Sequence, residues 1–213
     1  MLSTRALLRS GAGSLVRGTA RWAARVAAVG PRDRPARRFG HFGEGSCLAW
    51  PFGSVYNERY ISIGADTLIG PLVTISAGMA PGQEMVTDPV VIIGDRCLIG
   101  RHSALVGHFR IDVGDDVFMG MGVYITDQNH GYEDPAVPIG RQMPTEAPVR
   151  IGAGSWIGSG AVVLPGSDIG RHVVVAANAV VRGAVPDYSV VAGVPARVVK
   201  RLGAAGWSRV HDG

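Results

Sequence analysis

A six-residue repeat runs through most of the sequence, and it restricts the possible folds more than any other feature. Each unit begins with an aliphatic residue, usually followed by glycine, as at Ile63, Ile69, Ile75, Ile93, Ile99, Leu105, Val113, Met119, Ile125, Ile151, Ile157, Val163, Ile169, Val175 and Val181. Four positions after each aliphatic stands a small or β-branched residue, such as Thr67, Ser103 or Ala161. A hairpin protein would alternate with a period of two, and a helical solenoid would need longer repeats.

Each six-residue unit is interpreted as one short strand and one turn, with one large and one small side chain facing inward. Three units then close a triangular rung, and equivalent aliphatics stack from rung to rung. We therefore predict an all-β fold, a parallel β-coil, with glycine where the backbone bends. Only 7% of the residues are aromatic, which suits a narrow aliphatic core. Cys97 occupies a small inward position, and we predict that it is a buried filler residue.

Two long stretches interrupt the repeat. Residues 76–89 lack inward aliphatics at positions 81 and 87, although Ile75 and Ile93 are 18 residues apart, one rung length. We interpret this stretch as a loop that replaces most of two faces of the coil. The second interruption, residues 126–150, contains the sequence DQNHGYEDP. A two-residue slip also separates Leu105 from Val113.

The charge is divided unevenly along the chain. Residues 1–38 hold nine arginines and one acid, whereas the rest holds twelve basic and sixteen acidic residues. A mildly acidic body is not expected to bind nucleic acid. Leu8, Leu15, Trp22 and Val29 recur every seven residues, which predicts a basic amphipathic helix. We therefore divide the chain into an arm and linker (1–38), the coil (39–202) and a tail (203–213).

The arm has three possible roles on sequence grounds. It could pack on the body or on a partner subunit, lie on an anionic membrane surface, or act as a transit peptide. The sequence contains no run of about 18 apolar residues, so no transmembrane helix is predicted. Two cysteines, Cys47 and Cys97, cannot build a disulfide framework. We therefore expect a cytoplasmic protein, with peripheral membrane contact through residues 1–38 among the alternatives.

The repeat resembles that of the hexapeptide-repeat acyltransferases, over about residues 50–202. The stretch IGAGSWIGSGAVVLPGSDIG and the later motif AGVPAR resemble the galactoside and maltose O-acetyltransferase branch. This resemblance implies a left-handed parallel β-helix and a homotrimer. It also implies acetyl-CoA, or another acyl-CoA, as a co-substrate between adjacent subunits, with no metal required. The implied reaction is direct transfer to a hydroxyl of a sugar, polysaccharide or glycolipid-like acceptor.

The resemblance also implies a catalytic residue. In the family a loop leaves the coil and carries the catalytic histidine, and His130 in DQNHGY matches it. Acyl transfer needs a base near neutral pH, and imidazole has an unperturbed pKa of about 6.5. We predict that His130 is the general base.

The resemblance implies a set of residues for the donor. The acyl-CoA positions that match the family are Trp156, Ser159, Ala177, Arg182, Arg197 and Lys200. A backbone N–H near Ser159 would hold the oxyanion, and the three basic residues would meet the phosphates. For those three, ordinary solvated charge is the alternative. Arg182 departs from the threonine that is common in the branch.

Three further residues are candidates for the acceptor side. His108 lies one rung before the loop, where it would contact the acceptor or serve only as a turn residue. Asp127 and Asn129 flank His130 in sequence. They would bind acceptor hydroxyls, orient the base, or hold the turn.

Two other functions remain as alternatives. A non-catalytic β-helix, acting as a scaffold or interaction module, would have no use for His130 or the C-terminal motif. A metalloenzyme similar to the gamma-class carbonic anhydrases would need three convergent histidines. His102 and His108 are six residues apart, which places them on different faces of the prism, away from a shared ion with His130.

Overall fold

The computed structural model describes the backbone of residues 4–210 and the side chains of residues 13–210. It contains one α-helix, α1 (Thr4–Ala27), and three short 3₁₀ helices, Arg34–Arg38, Glu58–Tyr60 and Ile139–Arg141. The remaining elements are short strands. Leu8, which the sequence places on the apolar face of the arm, lies outside the described side chains.

All but two of the described strands form three sheets, which are the three faces of a prism. Sheet 1 contains β1 (His41–Phe42), β4 (Ile61–Ile63), β7 (Val91–Ile93), β10 (Ile111–Val113), β15 (Val149–Ile151), β18 (Asp168–Ile169) and β21 (Ala184–Val185). Sheet 2 contains β2 (Cys47–Leu48), β5 (Leu68–Ile69), β8 (Leu98–Ile99), β11 (Phe118–Met119), β16 (Trp156–Ile157), β19 (Val174–Val175), β22 (Ser189–Gly193), β23 (Ala196–Gly203) and β24 (Gly206–Arg209). Sheet 3 contains β3 (Val55–Tyr56), β6 (Thr74–Ala77), β9 (Ala104–Gly107), β12 (Tyr124–Thr126), β17 (Val162–Val163) and β20 (Val180–Val181).

Within each face the strands of the coil are parallel and in register, and only β23 and β24 at the end of sheet 2 are antiparallel. On sheet 1, Ile63 pairs with Ile93, which is followed by Val113, Ile151 and Ile169. The repeat aliphatics therefore stack on one another, as the period requires. The predicted all-β fold, a left-handed parallel β-helix with an N-terminal helix and a C-terminal extension, is confirmed.

Small polar side chains that face inward form hydrogen bonds with backbone groups at the bends. The hydroxyl of Ser155 donates to the carbonyl of Gly170 at 3.1 Å and accepts from the N–H of Val173 at 3.0 Å. Cys97 occupies an equivalent position, is buried, and places its Sγ 3.2 Å from the carbonyl oxygen of Gly114. Burial raises the pKa of this thiol above its ordinary value. The prediction of a buried filler residue is confirmed.

The loop at residues 76–89 is an insertion and does not replace faces of the coil. Ile61, Leu68 and Thr74 pair with Val91, Leu98 and Ala104, so all three sheets continue across the loop. The interpretation of this stretch as replacing two faces was therefore wrong. The spacing of Ile75 and Ile93 equals a rung by coincidence, because they occupy consecutive faces.

All three interruptions of the coil fall at one corner, where a strand of sheet 3 leads to the next strand of sheet 1. We call this the 3–1 corner and define it by residues 78–90, 108–110 and 127–148. Successive sheet 1 partners should be 18 residues apart, but Ile93 follows Ile63 by 30, Val113 follows Ile93 by 20 and Ile151 follows Val113 by 38. The three insertions thus add twelve, two and twenty residues at stacked positions.

The N-terminal segment joins the body after the helix ends. Val29, predicted on the helical face, instead bridges to Leu48 with N–H···O distances of 2.9 Å in both directions and is buried. Ala36 is also buried in the common core. On α1 the side chains of Leu15 and Trp22 are 70% and 66% exposed, so the helix does not pack these residues on its own body.

The C-terminal segment extends sheet 2. After β22 the chain turns, and β23 and β24 add to the sheet in antiparallel pairs, with Leu202 opposite Trp207. The residues from 203 onward thus include a strand that is paired to the body. In the described part of the chain, none of the helices combines the length and apolar character that crossing a bilayer requires.

Candidate active site at the 3–1 corner

A buried carboxylate holds two of the corner insertions together. Asp127, immediately after β12, is fully buried, and its carboxylate accepts backbone N–H bonds from all three residues of the 108–110 turn. The distances are 2.8 Å from His108, 2.9 Å from Phe109 and 2.6 Å from Arg110. Burial raises the pKa of Asp127, whereas these N–H donors act in the opposite direction. Its oxygens are occupied by backbone, which favours the alternative that Asp127 holds the turn over contact with an acceptor.

The turn that Asp127 holds presents His108. The Nδ1 atom of His108 is hydrogen-bonded to the Oε1 atom of Glu146, which lies on β14 (Thr145–Glu146). This strand pairs with β13 (Gln128–Asn129) in an antiparallel ribbon that forms the base of the 127–148 loop. The side chain of His108 is 18% exposed, so it is shielded on most sides but still reachable.

The third insertion supplies a partner for the other ring nitrogen. The Nε2 atom of Gln83 lies 3.2 Å from the Nε2 atom of His108. The Oε1 atom of the same amide accepts the backbone N–H of Met79 at 2.8 Å. All three insertions therefore meet at His108.

The 78–90 loop is tied firmly to the rung below it. The side chain of Asn57 donates to the carbonyls of Ala77 and Ala80 at 2.5 and 2.9 Å, and it accepts from the N–H of Gly82 at 2.7 Å. The hydroxyl of Tyr60 accepts from the N–H of Met85 at 3.1 Å. These bonds fix the backbone around Gln83 and so determine where its amide lies.

His130 and Asn129 lie on the outer part of the same loop. Both are exposed, and Asn129 pairs through its backbone with Thr145. Among the described residues, the side chain of His130 has no hydrogen-bond partner within the chain. The catalytic role of His130 stays a prediction.

Three of the six predicted donor residues lie on sheet 2. The ladder places Trp156, Val174, Val190 and Lys200 side by side in direct register. With strands about 4.8 Å apart, Trp156 and Lys200 are separated by about 14 Å. Trp156 is 51% exposed, and Arg197, on the same strand as Lys200, is also exposed. The result is a strip that is apolar at one end and basic at the other.

Ser159 and Ala177 lie at the corner between sheets 2 and 3. They occupy equivalent places in successive rungs, and the carbonyl of Ser159 accepts the N–H of Asn178 at 2.9 Å. The hydroxyl of Ser159 accepts the N–H of Met121 at 3.1 Å. Arg182 is separate from this group, because it follows β20 at the end of sheet 3 and lies beside the 3–1 corner.

Sequence analysis missed two residues of the corner, Gln83 and Glu146. They lie 25 and 38 residues from His108 in the chain, and both stand in interruptions of the repeat. Periodicity cannot place residues outside the coil, so the only available signal was the coincidence of three interruptions. The described part of the chain contains no cluster of three or more His, Cys, Asp or Glu side chains arranged to hold a metal ion.

We predict that Asp127→Asn loosens the 108–110 turn. The amide has one accepting oxygen, and its NH₂ group would face backbone donors, so at least one buried N–H loses its partner. We expect a loss of about 1–3 kcal/mol in the free energy of unfolding. Hydrogen exchange at the amides of 108–110 should become faster. Asp134→Asn is the control, because the exposed side chain of Asp134 accepts only the nearby N–H of Ala136 within the described residues. Unchanged exchange at 108–110 would contradict the role given to Asp127.

Two family models match the repeat. "Bacterial transferase hexapeptide (six repeats)" matches residues 148–183, and "Hexapeptide repeat of succinyl-transferase" matches residues 90–127. These two ranges contain the parts of the coil directly before and after the 127–148 loop. The matches agree with the repeat units that the sequence places there.

Several proteins are similar to this chain. A probable acetyltransferase of Mycobacterium tuberculosis is 45% identical over 50% of this chain and 36% of its own length. The putative lipopolysaccharide biosynthesis O-acetyl transferase WbbJ of Escherichia coli is 34% identical over 53% of this chain and 61% of its own. The chain thus spans less than two thirds of either relative.

A solved structure shares the fold. The hexapeptide-repeat containing acetyltransferase VCA0836 of Vibrio cholerae, complexed with acetyl coenzyme A, is 26% identical with a TM-score of 0.53, covering 78% of this chain and 73% of that one. The resemblance to hexapeptide-repeat transferases that the sequence predicts is confirmed by these matches.

Proposed function

We propose that this protein is an acyl-CoA-dependent O-acyltransferase, with acetyl-CoA as the first donor to test and a hydroxyl of a sugar, polysaccharide or glycolipid-like acceptor. The observation that carries the proposal is a shielded histidine at a corner of the β-helix, hydrogen-bonded to a carboxylate and surrounded by three loop insertions. Such a site can accept a proton from a hydroxyl that attacks a thioester. The names of the E. coli and V. cholerae relatives support the same chemistry.

A histidine of the 3–1 corner is proposed as the proton acceptor. The family resemblance selects His130, which stands exposed on the 127–148 loop and is free to meet a bound acceptor. His108 stands on the neighbouring turn. If His130 is the proton acceptor, its alanine variant should be inactive, and if His108 is, the His108 variant should be. The reaction is the same in both cases.

The strip on sheet 2 supports the donor assignment. An extended thiol arm of CoA could lie along Trp156 and the corner at Ser159 and Ala177. Its phosphates would then meet Arg197 and Lys200, whose positive charges suit them. Arg182 would reach the phosphates only from the other side of sheet 3, which makes it the weakest member of the proposed set.

The proposed transfer is direct. The acceptor oxygen attacks the thioester carbonyl, a backbone N–H near Ser159 stabilises the oxyanion, and the histidine passes its proton to the departing thiolate. No metal and no acyl-enzyme are needed. A ternary complex of protein, donor and acceptor therefore precedes the chemical step.

We predict acceptor-dependent thiol release from acetyl-CoA, measured over a panel of sugars, glycosides, amino acids and aminoglycosides. The double variant His108→Ala/His130→Ala should lose activity by about 10²–10⁴-fold, the usual contribution of a general base. His102→Asn is the control, because His102 is an exposed turn residue with φ of 61° that asparagine also adopts. Failure of the wild-type protein to bind acetyl-CoA or longer acyl-CoAs would favour the scaffold alternative.

We propose a homotrimer as the active form. The donor strip on sheet 2 and the 3–1 corner of one chain are separated by sheet 3, so a complete site needs a second copy. The outward residues of sheet 2 include Leu68 and Phe118, which are 45% and 47% exposed. By contrast, sheet 1 presents polar outward side chains such as Arg150 and Asp168. Apolar faces that are exposed in one chain support a symmetric association.

We expect light scattering to give a particle of about three times 22.3 kDa. Phe118→Glu should shift the population toward monomer, because a carboxylate would be buried without a partner. Ser62→Glu, the same change on the outward side of sheet 1, should leave the mass unchanged. A wild-type monomer at micromolar concentration would contradict the trimer.

We propose that the arm contacts an anionic membrane surface. Exposed Leu15 and Trp22 lie on a helix that also carries Arg17, Arg21 and Arg25, with no acid among residues 13–27. Apolar side chains can enter the interface while arginines meet lipid phosphates. Packing on a partner subunit is the alternative outcome.

We predict binding to vesicles that contain phosphatidylglycerol and little binding to phosphatidylcholine. Replacing Arg17, Arg21 and Arg25 by glutamine should cost about 3 kcal/mol, roughly a hundredfold in partitioning, at about 1 kcal/mol per charge. Co-sedimentation measures both. Equal binding of wild type and the triple variant would exclude an electrostatic membrane contact.

A further inference from the structure

The end of the prism where the coil begins is closed by a cap from the N-terminal segment. Strands β1, β2 and β3 are the first strands of the three sheets. Their inward residues, which include Leu48 and Val55, stack on the second rung and need cover on the other side. Val29, Pro35 and Phe39 lie against them there.

The cap is incomplete and leaves an apolar pocket of about 270 Å³. We call it the base pocket and define it by Val29, Pro35, Phe39, Leu48, Phe52 and Val55. The side chain of Phe52 is 38% exposed, so the pocket opens to the surface. Protein interiors leave few voids larger than a water molecule, and an apolar void stays dry and binds apolar molecules. At about 30 Å³ for a group the size of a water molecule, the base pocket holds roughly nine methylene groups.

One side of the base pocket carries positive charge. The 3₁₀ helix Arg34–Arg38 forms this side, and residues 31–38 hold four arginines and one acid. The acid, Asp33, accepts a backbone N–H at 2.7 Å. The side chain of Arg38 is 74% exposed, although Glu58 lies 3.9 Å from its guanidinium. An exposed guanidinium beside an apolar pocket suits a phosphate or another anionic group that is attached to an apolar chain.

Arg38 also lines a second, polar cleft of about 470 Å³. This corner cleft lies between the turn at 57–60 and the 78–90 loop, so it belongs to the 3–1 corner. One of its lining residues is Gln83, whose Nε2 atom lies 3.2 Å from the Nε2 atom of His108. The base pocket, the corner cleft and the candidate active site therefore follow one another along one edge of the prism.

The lining of the corner cleft suits the hydroxyl groups of a sugar. Glu58 and Glu84 offer carboxylate oxygens that accept hydrogen bonds, and Arg59, 3.5 Å from Glu84, offers donors. The ring of Tyr56 adds an apolar face, and its hydroxyl donates to the carbonyl of Gly78 at 3.3 Å. Charges of both signs in one cleft favour a hydroxylated ligand over a purely anionic one.

The distance along this edge exceeds the length of one sugar ring. The turns at 57–60, 78–90, 108–110 and 127–148 leave successive rungs, whose strands are about 4.8 Å apart. Three such steps, about 14 Å, separate the turn of the corner cleft from the loop that carries His130. An acceptor that reaches from one to the other therefore needs more than one sugar unit.

We propose that the acceptor is an anionic glycolipid. Its apolar chain enters the base pocket, the anionic group that follows the chain meets Arg38, and its glycan extends along the corner cleft to His130. This inference rests on the proposed acyltransferase function and selects one of the acceptor classes named there. It is carried by the order of an apolar pocket, an exposed guanidinium and a polar cleft that leads to the 3–1 corner.

The position of the base pocket agrees with the proposed trimer and the proposed membrane contact. The pocket lies at the end of the prism, so a second copy that packs along sheet 2 completes the 3–1 corner without closing this end. Val29, which lines the pocket, follows Ala27, the last residue of α1, by two positions. An arm on the membrane surface therefore holds the pocket close to the lipid.

The first test measures binding to the full chain by calorimetry, with alkyl phosphates of increasing length below their critical micelle concentrations. Affinity should rise by up to about fourfold per methylene and level off at roughly nine carbons, when the base pocket is full. Inorganic phosphate should not bind measurably. Affinity that is independent of chain length, or that keeps rising well beyond that length, would overturn the proposal.

Variants locate the chain and the anionic group. Val55→Phe fills the base pocket and should reduce the affinity for decyl phosphate to that for butyl phosphate, whereas Val210→Phe, on the exposed C-terminal segment, should not change it. If thermal unfolding shows that Val55→Phe does not fold, Phe52→Ser at the exposed edge replaces it. Arg38→Gln should weaken decyl phosphate by up to about fivefold without affecting decyl maltoside, and Arg150→Gln on sheet 1 is its control. Wild-type affinity for decyl phosphate in the pocket variants would place the chain elsewhere and overturn the proposal.

The last test connects the base pocket with the reaction. In the thiol-release assay, decyl glycosides should have a kcat/KM about tenfold or more above that of the methyl glycosides of the same sugar. Decyl phosphate should compete with the acceptor and not with acetyl-CoA. Equal kcat/KM for the two glycosides, or binding of decyl phosphate without such competition, would assign the pocket to a bulk membrane lipid and overturn the proposed acceptor. A protein that binds decyl phosphate but neither binds nor uses acyl-CoA would instead reject the proposed function and leave the lipid site intact.

Discussion

The stacking of one aliphatic residue on its equivalent in the next rung is the constraint on which the rest of the structure depends. Ile99 lies between Ile69 and Met119 in the same ladder, and all three are buried. Because strands on all three faces must stay in register, additional residues can enter only where the chain turns. The coil therefore tolerates insertions of twelve and twenty residues without a break in any sheet.

That tolerance accounts for the form of the candidate site. A prism with regular faces offers no cleft, and the chain makes one from loops that leave the coil at the same corner in consecutive rungs. Loops alone would be mobile, but here a buried carboxylate joins two of them to each other, and an asparagine ties the third to the rung below it. Rigid strands thus determine the position of the loop residues, and this precision is what acid–base chemistry needs.

The fold could be predicted from the sequence because the residues that face its core recur every six positions. The inward residues, the burial of Cys97 and the strands of all three sheets between Ile63 and Val181 follow from the six-residue spacing. The site could be predicted only in part. His108, Asp127 and His130 were recognised as candidates, but the partnership of His108 with Gln83 and Glu146 depends on loop conformations that no period describes. The spacing of Ile75 and Ile93 led to a wrong interpretation of residues 76–89. A six-residue step to the next face plus a twelve-residue insertion gives 18 residues, the same length as one rung.

The hydrogen bonds between Asp127 and the 108–110 turn limit how segments can be recombined between related proteins. The carboxylate belongs to the longest insertion, whereas the N–H groups that it accepts belong to the shortest, so the two segments fold as a matched pair. A chimaera that received the long loop without the short turn would bury an acid with no donors. Recombination at this corner should therefore succeed only when both segments are inherited together, while the coil beneath them remains interchangeable.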